Sequence, residues 1–530
     1  MPTPSKICEK AKFLKSERGT WETHWQELGD YIIPSKNDIT RTRVPGEKIQ
    51  QQIYDNTAMH SNVLLAGFLH SLLTNPNSQF FELTTGFEEI DSRDDVRRWL
   101  QKQSRKMLHV LNNSNFQTEI HELYIDLGAF GTSIMSVEED KKSIVRFQTR
   151  PLRGCYLEED FAGQVSEVYR EFEWSAAQMV QAFGAEVLTK HRDIAKAYQA
   201  KDTKKFMIVH GVYPSGDTGE SRFSYKSLYA LREGEIELQS GGFSSFPYIC
   251  PRWMKHSGEK YGRSPGMVAL PEVKTINIMV ETTIKGAQKV VDPPLQVPDD
   301  GFIGMIRTRP ASLNFYRSGT TDRIEPIFND ARIDFGIQVI EEKRQRIRDS
   351  FYVDQLRLRQ GTPQMTATEV EQRVEEALRF MGPILGRQQS ETLRPIIDRV
   401  YEIMEKRGMI DPAPDILKRF GGKLDVNYSS LIARTQRQNE SKAILRAVEQ
   451  ATPFISADPS VLDNLDGNVA LKKIWKINNA DQEIVRSDAE VRRIREQRAQ
   501  QQQLAMEEQL KLNTSENISK TVPALAKIGG

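Results

Sequence analysis

The sequence predicts an α+β chain, mainly helical, and three observations carry that class. Apolar residues recur at helical spacing through the first 130 residues. Strand-like alternation replaces that period after Gly128 and Gly131, and helical patterning returns from Pro271 to Gly408. A chain of 530 residues exceeds what one core organises, so roughly three to four structural units are expected.

Residues 5 to 33 read as a helix, with Ile7, Ala11, Leu14, Trp21, Trp25, Leu28 and Ile32 near helical spacing until Pro34, and Gly19 as a candidate break. A polar loop with Arg41, Arg43, Pro45 and Gly46 leads to a second, buried helix at about Asn56 to Leu73. Helices at Asp91 to Asn112 and Phe116 to Phe130 follow, the first charged outside an inner stripe of Val96, Leu100, Met107, Val110 and Leu111.

Residues 131 to 254 read as a mixed unit on an antiparallel sheet, interrupted by a helical pair near Ala176 to Tyr198. Its strands are expected at 133–137, 144–148, 165–172, 206–213, 223–231, 236–239 and 248–253. Pro271 to Val290 returns to a helix with Pro271 in its first turn; Val273, Ile276, Val280, Ile284 and Ala287 share one face and Lys274, Glu281, Lys285 and Lys289 another. A proline-rich excursion of strands and turns covers 291–330, and a helix at about Ile333 to Phe351 brings the chain back, making a projecting stalk.

Val353 to Gln364 reads as an exposed polar loop. Thr366 and Glu369 have capping-box spacing at the start of the longest helical pattern, which ends at Gly408. Unbroken, that pattern would reach about 64 Å. Pro383 and Pro395 are expected to kink it, because each removes a hydrogen bond and clashes with the preceding turn. A helical region from about Asn439, Gln-rich over Ile494 to Leu512, ends in an apolar tail.

Composition narrows the function. Lys plus Arg (73) nearly cancels Asp plus Glu (72), so there is no bulk positive field of the kind that grips nucleic acid tightly; a conduit for DNA has the opposite need. Cys8, Cys155 and Cys250 are too few and scattered for a disulfide framework or a metal site, and no run reaches the ~18 apolar residues of a membrane span. The amino terminus lacks the apolar stretch of a signal peptide, so synthesis in a reducing cytoplasm is expected.

No catalytic constellation emerges. Gly421-Gly422-Lys423 lacks the upstream Gly and following Ser or Thr of a phosphate-binding loop; H-E-x-x-H and G-x-S-x-G are absent, and the His residues show no ligand spacing. No catalytic, cofactor-binding or metal-ligating residue is assigned. The basic run Lys343, Arg344, Arg346 and Arg348 is interleaved with Glu341, Glu342 and Asp349, which favours local or intersubunit ion pairs over nucleic-acid binding. Arg357 and Arg359, beside Gln355, Gln360 and Gln364, lack acidic neighbours and could touch phosphates without reading bases. A plain surface loop explains them equally well.

Several motifs, in order, resemble the portal proteins that connect head to tail in short-tailed bacteriophages. Asp55-Asn56-Thr57 and Thr74-Asn75-Pro76 through Gln79-Phe80-Phe81 resemble that family's second helix and the aromatic strand after it. Gly258, Glu259, Tyr261, Gly262, Arg263 and Ser264 match its Gly-Glu-x-Tyr-Gly-Arg-Ser element before the first stem helix, and Met365 to Val370, with Thr366 and Glu369, its Thr-Ala-x-Glu element.

The resemblance implies a portal fold with wing, stem, clip and crown, assembled as a ring, and a chain that is a ring subunit and not an enzyme. It places the wing at 1–263 (helical to 130, mixed from 131), the stem at 264–290 and 331–351, and the clip at 291–330. The tunnel loop falls at 352–365, the long kinked helix at 366–434, and the crown and tail at 435–530.

What the resemblance further implies is a dodecameric ring at one capsid vertex, without cofactors and with no membrane partner. Double-stranded DNA passes through it, and the terminase large subunit, a tail adaptor, and the major capsid and scaffold proteins dock on it. Gln355, Arg357, Arg359, Gln360 and Gln364 then face DNA in the tunnel loop, and Lys274, Glu281, Lys285 and Lys289 face the channel or a neighbouring subunit. Two other classes stay open from the residues alone: a monomeric helical scaffold or adaptor, and a metal-dependent DNA-processing enzyme.

Overall fold

The computed structural model describes residues 3–44, 46–49, 53–216, 223–296, 333–356, 380–419, 424–428, 443–454, 466–477 and 490–507, with isolated positions between them. Two compact units are distinguished, Met1–Phe80 with Arg105–Ile410, and Phe81–Ser104 with Asp411–Gly530. The fold is mixed helix and strand, as expected.

In the larger unit the opening pattern forms two helices, Pro4–Glu17 and Gly19–Tyr31, which part at Arg18. Arg18 is buried, and its guanidinium donates to the carbonyls of Leu152 and Cys155 and to Glu22 while lying 4.4 Å over the Tyr156 ring. The charge is tolerated there because its donors find acceptors. Thr57–Leu73 and Phe116–Phe130 pack on each other and bury Leu65, Leu69, Ile120, Leu123 and Leu127.

The mixed region contains a five-stranded antiparallel sheet in the order 155–159, 165–175, 205–214, 225–231, 236–243. The strand Cys155–Glu159 was not anticipated, since its Glu158-Glu159 end reads as a turn. A three-stranded sheet pairs Ile134–Asp140 with Ile144–Arg150 and with Tyr248–Ile249. The expected strand at 248–253 is thus only two residues long, because Pro251 cannot donate to a ladder and Arg252 joins through an isolated bridge to Thr132. Helices Ala176–Phe183, Val187–Lys190 and Arg192–Gln199 cover one sheet face.

The stalk is two helices packed together, Pro265–Val291 and Ile333–Ser350. The first begins six residues earlier than its periodicity indicates, so Pro271 lies inside it rather than in its first turn. Val273 and Ile276 are buried, with Ile340 and Ile347 from the second helix, whereas Ile284 and Ile337 are exposed. Lys343 and Glu272 pair across the helices at 2.6 Å, Arg344 reaches Asp55 at 3.0 Å, and the Asn277 carboxamide oxygen accepts from the Tyr54 N–H at 2.7 Å. The mixed charges of this run serve intrachain pairs, as the sequence favoured.

The residues expected as an exposed loop from Val353 begin with a helical turn, Val353–Leu356, in which Val353 is buried and Gln355 lies. Arg357, Arg359, Gln360, Gln364, Thr366 and Glu369 lie outside the described residues, as does most of 291–330, of which Leu295–Gln296 pairs with Glu325–Pro326. The long helix is described from 380 to Lys406; it runs through Pro383 and adopts π winding at Gln389–Leu393, just before Pro395. The missing proline N–H is thus met by a change of winding within a continuous helix.

In the smaller unit Phe81–Thr84 pairs antiparallel with Asp425–Tyr428, and the Leu83 N–H donates to Ser104 Oγ at 2.9 Å. Gly467–Ile477 and residues 443–454 and 490–507 are helical.

Candidate functional site

The motif Gly258–Ser264 is where the mixed region becomes the stalk, and each of its residues has a local reason. Gly258 has φ +85°, a backbone state that glycine adopts without a Cβ penalty. Glu259 accepts from Arg263 Nε at 3.0 Å, and the Arg263 guanidinium lies 4.5 Å over the Trp21 ring. Lys260 reaches Glu17 and Glu158, each at 2.9 Å. Tyr261 is buried edge-on against Trp25 at 5.0 Å, and its hydroxyl oxygen accepts from the Leu157 N–H at 3.3 Å. Burial pushes the phenol pKa up, so it stays protonated.

Gly262 donates its N–H to Thr132 Oγ1 at 2.8 Å and meets Gly131 backbone to backbone: a Cβ on Gly262 would stand 2.3 Å from the Gly131 carbonyl oxygen. Gly131, at φ +78°, ends the helix Phe116–Phe130. Ser264 then caps the first stalk helix, its Oγ accepting from the Met267 N–H at 2.9 Å while donating to the Ala129 carbonyl at 2.7 Å. Pro265 at the first helical position needs no N–H partner. The stalk is therefore launched from the end of another helix through one hydroxyl and a contact only glycines fit.

Arg252 is a second hub, absent from the sequence expectations. Its backbone N–H and its Nε both donate to Glu391 Oε2, at 2.9 and 3.2 Å, and its Nη2 to Oε1 at 3.1 Å; Nη1 donates to Glu159. Gln388 donates to the Arg252 carbonyl at 2.9 Å. Glu391 sits in the π segment, so the altered winding presents it to this arginine. A cleft of about 660 Å³ adjoins the hub, lined by Tyr225, Phe246, Tyr248, Lys255 and Arg387 among others. The available sequence signal was an arginine among Ile249, Cys250 and Trp253, where a buried charge demands a partner. The partner, some 139 residues away, was not legible.

Further along the long helix, Arg399 donates to Ser245 at 3.1 Å and to Glu402 at 3.0 Å. Burial alone would raise the Glu402 carboxyl, but hydrogen bonds from Lys406 and Ser245 and the Arg399 charge bring it down to about 2. Asp126 runs the other way: burial lifts it to about 6 even with Lys36 at 2.6 Å.

On the stalk, Lys274 pairs with Glu27 at 2.8 Å and Lys285 with Glu281 at 2.6 Å, while Lys289 is exposed near the far end. These four charges are not gathered into one site. Among the described residues no cluster of three His, Cys, Asp or Glu side chains could hold a metal ion, and the three cysteines are buried free thiols.

Hydrogen bonds of the junction hold helices and strands to one another and fix the start of a helical pair, and the class this arrangement belongs to is given by similarity to known proteins. The chain belongs to the bacteriophage head to tail connecting protein family, whose model matches residues 5–485. It is 31% identical over 511 residues to the probable portal protein of Bordetella phage BPP-1, covering 93% of this chain and 91% of that one. It is 28% identical over 516 residues to the portal protein of Salmonella phage epsilon15, covering 94% and 92%. A shorter similarity, 22% over 286 residues, relates it to the portal protein of Escherichia phage T7, covering 51% of this chain and 50% of the other.

Proposed function

We propose that this chain is a portal subunit, copies of which form a ring at one capsid vertex for packaging, retention and ejection of the phage genome. The observation that carries the reading is similarity to two phage portal proteins over more than nine-tenths of the chain. The stalk and its fixed launch point support it, since a ring subunit must hold a projection at one angle in every copy.

In this reading twelve copies close by head-to-tail contacts, which need two different faces on each subunit. The wing is residues 1–263, the stem is 264–290 and 331–351, and the clip at 291–330 docks the terminase large subunit and later the tail adaptor. Scaffold and major capsid proteins hold the outer surface, and the crown forms from 435–530. The protein works mechanically and electrostatically rather than as an enzyme, at the head-tail junction of the virion after synthesis in the host cytoplasm. Double-stranded DNA passes without base recognition: near-zero net charge leaves it able to slide. Gln355, Arg357, Arg359, Gln360 and Gln364 supply a sparse contact at the tunnel loop, and Lys274, Glu281, Lys285 and Lys289 line the stem toward the channel or a neighbour.

Negative-stain electron microscopy with native mass spectrometry tests this. Rings with a central hole and a mass near a dozen subunits are expected; a stable monomer or dimer at high concentration would reject the ring and bring forward a scaffold or adaptor role.

A further inference from the structure

Residues 247–253 form the outer edge of the three-stranded sheet, and their register decides which way each backbone group points. The Val137 N–H donates to the Pro247 carbonyl at 2.8 Å, Met135 is paired with Ile249, and the Ser133 N–H donates to the Pro251 carbonyl at 3.2 Å. The Trp253 N–H donates to the Gly131 carbonyl at 2.9 Å. Odd-numbered residues therefore bond inward, and Tyr248, Cys250 and Arg252 turn their N–H and C=O to the outside. Pro247 and Pro251 fall on inward positions, so no outward donor is missing.

At Arg252 the long helix closes that edge: the N–H donates to Glu391 Oε2 and the carbonyl accepts from Gln388, each at 2.9 Å. Upstream nothing does the same. The outward N–H and C=O of Cys250 and of Tyr248 have no hydrogen-bond partner among the described residues, although Cys250 is only 7% exposed and Tyr248 3%. Buried backbone groups are almost always paired. These two residues line the cleft of about 660 Å³, whose facing wall is the long helix with Pro383, Gly386, Arg387 and Ser390. No atom lies within 4 Å of where a Gly386 Cβ would stand, so the space in front of it is open.

We propose that this cleft receives an extended peptide segment of a second protein, which adds to Tyr248 and Cys250 as a further strand. Its backbone supplies there what Glu391 and Gln388 supply at Arg252. From Phe246 to Pro251 the edge runs about 17 Å, the length of a short strand. The slot selects the occupant. Both walls belong to one chain, so a strand already inside a sheet would drive its neighbour into the helix, whereas a single arm or tail fits. Tyr225 and Phe246, with ring centroids 5.1 Å apart, give the arm an apolar wall. Arg387 gives it a charge to meet: its contact with Glu391 is 3.6 Å long, and both Glu391 oxygens already accept from Arg252. An arm carrying an apolar side chain and a carboxylate is the chemistry these walls recognise. None of this geometry depends on ring closure.

The probe is a random peptide library displayed on its own mRNA, selected on the full-length protein and counter-selected on Gly386→Phe, which fills the slot from a position where the fold leaves open space. Selected peptides are expected to carry Asp or Glu near an apolar residue, to lose binding to Gly386→Phe, and to bind Arg387→Gln about tenfold more weakly, as one charge-assisted contact is lost. N-methylation of one peptide amide at a time should abolish binding at every second position, because only alternate N–H groups of an added strand face the edge. No enriched peptide, equal binding to Gly386→Phe or to Arg387→Gln, or N-methyl losses without that alternation overturns the proposal.

A second measurement needs no substitution. Hydrogen exchange of the Tyr248 and Cys250 amides should be fast in the protein alone and slow by about tenfold or more when a selected peptide saturates it. Amides already protected in the protein alone overturn the proposal, because the edge is then covered by this chain or by a second copy of it. Unchanged exchange in the presence of bound peptide overturns it as well, since the peptide then lies elsewhere.

Discussion

Replacing Gly262 by alanine isolates the tightest point of the junction. The added Cβ would lie 2.3 Å from the Gly131 carbonyl oxygen, 2.9 Å from Arg252 Cβ and 3.1 Å from the Trp253 nitrogen. A carbon rests about 3.3 Å from a carbonyl oxygen, so one backbone must move by about 1 Å. Neither can yield as a flexible side chain would. The displacement strains the Gly262 to Thr132 hydrogen bond and the Met254 and Arg263 bridge beside it. Overpacking costs about 1–3 kcal/mol and a compromised buried hydrogen bond about 1–3 more, giving roughly 2–6 kcal/mol.

Gly258→Ala is the control, since φ is +85° there but nothing lies within 4 Å of the new Cβ. It should cost only about 1 kcal/mol, the ordinary left-handed penalty. Urea unfolding followed by tryptophan fluorescence suits the comparison, because Trp21 and Trp25 contact Tyr261 and the Trp253 N–H bonds to Gly131. If Gly262→Ala is no more destabilising than Gly258→Ala, the close-contact argument for the motif is wrong.

Other substitutions probe separate links. Arg252→Ala leaves Glu391 and Glu159 without their partner and should destabilise by about 3–5 kcal/mol in urea titration; Arg252→Lys should recover little, because one ammonium cannot reproduce the forked contact with Glu391. The Glu402 carboxyl is depressed from 4.5 to about 2, so its stabilisation is present above pH 4.5 and lost as pH falls toward 2. Glu402→Gln should therefore flatten that part of a melting-temperature profile. Asp126, raised to about 6, has the opposite sign: its contribution is full below its unfolded value of 3.8 and declines as pH rises through 6, so Asp126→Asn should gain relative stability at neutral pH. Deleting 355–360 should leave the number of subunits per ring unchanged in native mass spectrometry but impair genome packaging or retention, and a full genome complement in such particles would remove the tunnel-loop assignment.

Periodicity made the helices legible wherever one face is buried and the other wet, as in the opening pair and the second stalk helix. It failed at Pro265–Leu270, where the helix is packed on several sides and carries no amphipathic signal. The strand Cys155–Glu159 was hidden because its acidic end is tied to lysines at a distance in sequence, Lys10 and Lys260 at Glu158 and Lys255 at Glu159. Within the site, the motif was visible as a string of glycines, an aromatic residue and a capping serine. Its partners Gly131, Thr132 and Ala129 were not, because backbone contacts across more than a hundred residues leave no spacing to read.

The π turn at Gln389–Leu393 makes chain length, as well as residue identity, matter in the long helix. Because π winding closes its hydrogen bonds over five residues rather than four, it holds one residue more than the α turn it replaces, so removing one residue there would let ordinary α winding resume while residues 380–388 keep nearly the same facing relative to the part beyond Pro395. Gln388 would stay near the Arg252 carbonyl and Met381 in the core, and what would be lost is the position from which Glu391 reaches Arg252. The same deletion in the α-helical turns on either side would instead rotate everything upstream by about 100°, so the two deletions differ sharply in severity.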